Sequence, residues 1–109
     1  MKTTFGEYIR ILRKEKDYTL TQLAAKLNMD SANLSKVENG KRDFDEKRLI
    51  LLAEEFELNI NDLKDEYFSE LLAKKVYENS CSNKVFELAE EKIKYLQLKD
   101  TKQTELKLS

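Results

Sequence analysis

Apolar residues recur at helical spacing along most of this chain, and charged residues fill the positions between them. Phe5, Tyr8, Ile9 and Leu12 share one face of a 3.6-residue repeat and predict a helix over 5–16. Leu23 and Leu27 lie one turn apart with Ala24 beside them, predicting a second helix over 20–27. Leu34 and Val37 supply the buried face of a third, over 31–39. Leu49, Leu52, Ala53 and Phe56 form the stripe of a fourth helix that Asp45 can cap. A fifth contains Leu63, Tyr67, Leu71, Leu72 and Val76, with Asn61 as its expected cap. The turn-favouring run Asn79-Ser80-Cys81-Ser82-Asn83 breaks the pattern. Val85, Phe86, Ala89, Ile93 and Leu96 then describe a sixth helix, expected to fray beyond Lys99 into a polar, disordered tail over 100–109.

The second and third helices are the most informative. Thr19 followed by Gln22 is a capping-box pattern, in which the hydroxyl accepts from a backbone N–H three residues on and the Gln side chain reaches back. Asn28 stands where the chain must leave the second helix, and Asn tolerates the left-handed conformation that ends helices. Asp30 offers the next N-cap, and Asn39-Gly40 closes the third helix. Two short helices joined by so few residues make a helix-turn-helix.

The segment 19–42, TLTQLAAKLNMDSANLSKVENGKR, resembles the Xre/Cro type of phage and bacterial repressor domain. The shared positions are Leu23-Ala24, Leu27, Met29, Leu34, Val37 and Glu38-Asn39-Gly40-Lys41, and the resemblance covers roughly 5–63. Asn28 replaces the Gly usual in that family. Leu20 replaces a Gln that in many members bonds a DNA phosphate. The resemblance implies an all-α protein with a five-helix repressor-like domain over 1–63, and the apolar pattern beyond it predicts that the fifth helix extends into a C-terminal helical hairpin over 64–99. It also implies that an Arg of the first helix, here Arg13, pairs with Glu38, either orienting the guanidinium toward a phosphate or serving as a structural ion pair.

Helix-turn-helix proteins lay the N-terminal part of the second motif helix in the major groove of double-stranded DNA. The residues so placed are Ser31, Ala32, Asn33 and Lys36. Lys36 can donate to guanine, Asn33 can pair with adenine and Ala32 can meet a thymine methyl, whereas Ser31 specifies little. With few bidentate groups available, part of the specificity is expected from DNA shape. Phosphate contacts are expected from Thr19 and Thr21 at the start of the second helix, from Arg13 and Ser35, and from Asn39, Lys41 and Arg42 after the third.

The two C-terminal helices cannot bury their apolar stripes alone. Either they pack back on the first domain or they pair with a second copy. Pairing is the preferred expectation, because one motif covers half of a typical two-fold operator. Its candidate residues are Tyr67, Phe68, Leu71, Leu72, Val76, Phe86, Ile93 and Leu96. A different class of function is also open, in which these helices bind a partner protein, as in antitoxins of the family.

The chain has 109 residues, no Pro, two Gly and 38% charged residues, which leaves room for little besides helices. The net charge of −1 is unevenly spread: 9 Lys and Arg face 6 Asp and Glu through Phe44, and 11 face 15 beyond it. The positive excess lies on the half that carries the motif. No apolar run suits a membrane span and no signal peptide opens the chain, so a soluble, cytoplasmic protein is expected. The absence of His and the single Cys81 argue against a zinc site or an internal disulfide. No cofactor is expected, and without a Gly-rich phosphate loop or a nucleophile beside a base the chain does not read as an enzyme.

Overall fold

Capping residues set the starts of most helices. The structure, a computed structural model, describes residues 3–108, with side chains described through residue 101. Six α-helices follow in order: α1 (Phe5–Glu15), α2 (Leu20–Lys26), α3 (Ser31–Glu38), α4 (Leu49–Glu55), α5 (Ile60–Glu78) and α6 (Lys84–Leu108). A 3-10 turn, Glu46–Arg48, leads into α4, and no strand occurs among the described residues. Capping boxes start α1, from Thr4 and Glu7, and α2, from Thr19 and Gln22. Asp30 caps α3 by accepting from the Ala32 N–H at 3.0 Å. Asp45 caps the 3-10 turn rather than α4 itself. The fifth helix starts one residue before the expected cap: Asn59, not Asn61, accepts from the N–H groups of Asn61 and Asp62 at 2.9 and 3.1 Å.

Five helices end in the same way. Asp17, Asn28, Gly40, Glu57 and Ser80 all take positive φ. Around Asn28, the Met29 N–H reaches the Ala24 carbonyl at 2.9 Å and the Asn28 N–H reaches Ala25 at 3.3 Å, the paired bonds of a Schellman motif. Equivalent pairs close α1, α3, α4 and α5. A non-Gly residue in this conformation costs roughly 1–2 kcal/mol. One fully buried Leu contributes about 1.5–3 kcal/mol, enough to offset it.

The chain divides into two units, Met1–Leu72 and Ala73–Ser109. The core of the first is built from Ile9, Leu23, Leu27, Leu34, Leu49 and Leu52, all fully buried, with Phe5, Val37, Phe44 and Leu63 around them. Tyr67 belongs to this core and not to a dimer surface as expected: it is 7% exposed, stacks edge-on to Phe5 and donates its hydroxyl to the Phe44 carbonyl. Leu71 also packs against the core. The first unit therefore extends past the expected boundary at 63, because the stripe of α5 is longer than the domain was taken to need. Glu70 ties that stretch to α1 by accepting from the Phe5 N–H at 2.9 Å.

In the second unit the chain turns through 79–83 into α6. This helix runs on to Leu108 instead of fraying at Lys99; its last residues include Lys, Gln, Glu and Leu, good helix formers with no Gly or Pro to stop them. Of the expected tail, Ser109 lies outside the described residues.

Gly6 marks the closest approach in the first unit. A Cβ there would stand 2.0 Å from the Val37 carbonyl oxygen, so α1 and α3 can cross at this distance only above a glycine. Gly6→Ala is expected to destabilise the fold by about 1–3 kcal/mol, as overpacked cores do, measured by urea unfolding. A stability equal to the parent would show that the crossing relaxes freely.

Candidate nucleic-acid interface

Of three sets of contacts behind the motif, two hold α3 and the third braces the turn that precedes it. The first is the Gly6–Val37 crossing. The second is a bidentate ion pair: Arg13 Nε and Nη2 donate to the two Glu38 carboxylate oxygens at 2.8 and 2.9 Å, and Nη1 donates to the Tyr18 carbonyl at 2.9 Å. Glu38 is buried, and its bond to Arg13 holds the guanidinium pKa above its ordinary value. The Arg13 side chain is 11% exposed, so most of its surface is committed to this ion pair with Glu38.

The third set centres on Arg48, which sequence reasoning missed. Its Nε donates to the Leu27 and Asn28 carbonyls at 3.0 and 3.2 Å, and Nη2 donates to Asn28 at 2.8 Å. Nη1 meets Asp45 at 2.5 Å. A guanidinium at the C-terminal end of α2 satisfies carbonyls the helix leaves open and suits the negative end of its dipole. It also ties the helix-turn-helix turn to the segment following α3. Tyr67 secures that segment again through Phe44, and burial, then nearby Asp43, pushes the phenol pKa up.

On the outward face, Ala32 and Lys36 are exposed, while Ser31, Asn33 and Ser35 are half-buried. Lys36 makes no side-chain ion pair among the described residues. Asn33 accepts from Arg42 Nη1 at 3.0 Å, a contact that brings an expected base reader and an expected phosphate binder together. Asn39 turns its amide back on the Ser35 carbonyl at 2.9 Å and so closes the helix. Thr19 commits its hydroxyl to the Gln22 N–H, whereas Thr21 and Lys41 stand exposed at the two flanks of the face. A cavity of about 720 Å³ beside α3 is lined by Arg42 and Arg48 but also by Asp30, Asp43 and Asp45. Its charge therefore does not favour a phosphate, and the positive potential of this face falls to Lys36 and Lys41.

The remaining expected residues lie on α5 and α6. Phe68, Leu72, Phe86, Ile93 and Leu96 are exposed, and Val76 is half-buried. No helix among the described residues is long and apolar enough to cross a membrane.

A helix-turn-helix family model matches residues 9–63. The HTH-type transcriptional repressor RghR of Bacillus subtilis (strain 168) is 37% identical over 91 residues, spanning 80% of this chain and 66% of that protein's own length. Among solved structures, a chain of the SinR protein/SinI protein complex is similar over 90% of this chain and 99% of its own, with 24% identity and a TM-score of 0.49.

Removing Arg13 alone strands a buried carboxylate, so Arg13→Ala is expected to cost about 3–5 kcal/mol in urea unfolding. Replacing both partners with apolar residues, Arg13→Met with Glu38→Leu, is expected to cost clearly less than the single change. A loss under about 1 kcal/mol for Arg13→Ala, the value of an exposed pair, would contradict the buried one.

Proposed function

Because the chain belongs to the Xre-type helix-turn-helix family, we propose that it is a sequence-specific, double-stranded DNA-binding transcription regulator, a repressor or autoregulator, acting as a homodimer on a palindromic operator. The observation that carries this reading is the outward face of α3. It is held from behind by Arg13–Glu38 and the Gly6–Val37 crossing, with Arg48 bracing the turn before it, yet it presents Ala32 and Lys36 to solvent with Asn33 and Ser31 beside them. Rigid support behind an exposed, partly cationic helix is what base reading in a major groove requires. Thr21 and Lys41 flank the face where the DNA backbone passes on either side. The description of the relative RghR as a transcriptional repressor supports repression as the direction of control.

The homodimer reading rests on α6. Phe86, Ala89, Ile93 and Leu96 follow one another at spacings of three and four, the seam of a helix that packs against another helix. Phe86, Ile93 and Leu96 are 46, 54 and 57% exposed in the single chain. Pairing them across a two-fold axis presents two α3 helices to two half-sites. The same exposed residues suit a partner protein, which is the second reading.

One selection experiment addresses both parts of the proposal. Binding-site selection from random duplex DNA is expected to recover an inverted repeat whose half-sites are centred about 34–36 Å apart. Lys36→Ala is expected to relax preference at one position in each half-site, by about 1–3 kcal/mol of discrimination, with helicity unchanged. Recovery of a single half-site would remove the dimer, and an unchanged base preference in Lys36→Ala would remove the assignment of Lys36.

A further inference from the structure

Among the described residues, Asn33 and Arg42 form the one side-chain hydrogen bond between the expected base-reading positions of α3 and the segment that follows it. Arginine has no acceptor, so the Asn33 atom facing it at 3.0 Å is the carbonyl oxygen Oδ1. The other end of the planar amide, Nδ2, has no hydrogen-bond partner among the described residues. An untethered Asn turns its amide over at little cost and offers a base either a donor or an acceptor. With Oδ1 bound to Arg42, the group left to meet a base is the amino end, which only donates.

We infer that Arg42 is a specificity-determining residue that acts through Asn33, holding the amide in a donor-outward orientation so that the facing base is selected for acceptors on its major-groove edge. The inference rests on the DNA-binding reading above. Guanine offers O6 and N7, and thymine offers O4. Cytosine offers only the N4 amino group, a donor, and two donors brought together are rejected. Arg42 is thus a positioning residue, and its removal frees the amide to turn and accept from cytosine. This narrows what Asn33 does: adenine keeps N7 as a single acceptor but loses the accept-and-donate pair, so the tethered side chain admits guanine, thymine or adenine and excludes cytosine.

The test is binding-site selection on the full chain and on Arg42→Ala, Asn33→Ala and the double variant, with helicity checked by circular dichroism. The parent is expected to disfavour cytosine at one half-site position, within the roughly 5- to 150-fold range of a good base contact. Arg42→Ala is expected to reduce that discrimination severalfold at this position and nowhere else. In the Asn33→Ala background, Arg42→Ala is expected to leave base preference at that position unchanged. A purely phosphate-binding Arg42 gives a different result, since its loss weakens all sequences by one factor and alters no preference. That outcome, with the parent still selecting a sequence, would overturn the inference while leaving the proposed function in place. Failure of the parent to select any sequence would overturn both.

Discussion

The ion pair between Arg13 and Glu38 is the constraint on which the rest of the first unit depends. Glu38 is the last residue of α3, so the pair fixes the end of the helix that carries the exposed face. Its cost is desolvation of two charges, which a buried pair recovers only with good geometry and further hydrogen bonds. Both conditions are met here, by bidentate contact and by the Tyr18 carbonyl that takes a third guanidinium bond. Gly6 works toward the same end at the other side of the crossing, letting α1 approach the Val37 backbone. One consequence is that Arg13, a cation close to the motif in sequence, positions the end of α3 through Glu38.

Much of the motif was legible before the structure because its signals are local. The capping box of Thr19 and Gln22, the turn at Asn28, the Asp30 cap and the close at Gly40 each involve residues within a few positions of one another, and each appears as read. Arg48 was not legible, since its bonds to Leu27 and Asn28 cross about twenty residues and nothing in its own neighbourhood marks them. Tyr67 was misread for a related reason: an amphipathic stripe says that a face will be buried but not by what. The cap of α5 slipped from Asn59 to Asn61 because the two Asn are close and equally suited by type. The polarity of the last residues does not disclose the length of α6, because helix-forming residues continue there without a breaker.

The helix ends carry a lesson about glycine. Of the five left-handed residues, Gly40 adopts the conformation freely, Asn28 and Asp17 are of types that tolerate it, and Glu57 and Ser80 adopt it under the demand of the backbone hydrogen bonds that close each helix. At Asp17, Asn28 and Glu57 packing of the adjacent core outweighs the local cost, and at Ser80 the two closing backbone bonds accompany it. A composition with two Gly therefore does not limit the number of tight turns.

The outward face of α3 is modestly cationic, with acidic groups close by in Asp30, Asp43 and Asp45. Such a surface gains affinity mainly by releasing counterions from phosphates, so binding should weaken steeply with added salt. The most direct measurement is affinity for a selected duplex against salt concentration. The expected result is a linear fall of log K with log salt, with a slope of about −0.9 for each phosphate contacted. Absence of binding at low salt, or affinity indifferent to salt, would contradict the reading of this face as a DNA-binding surface.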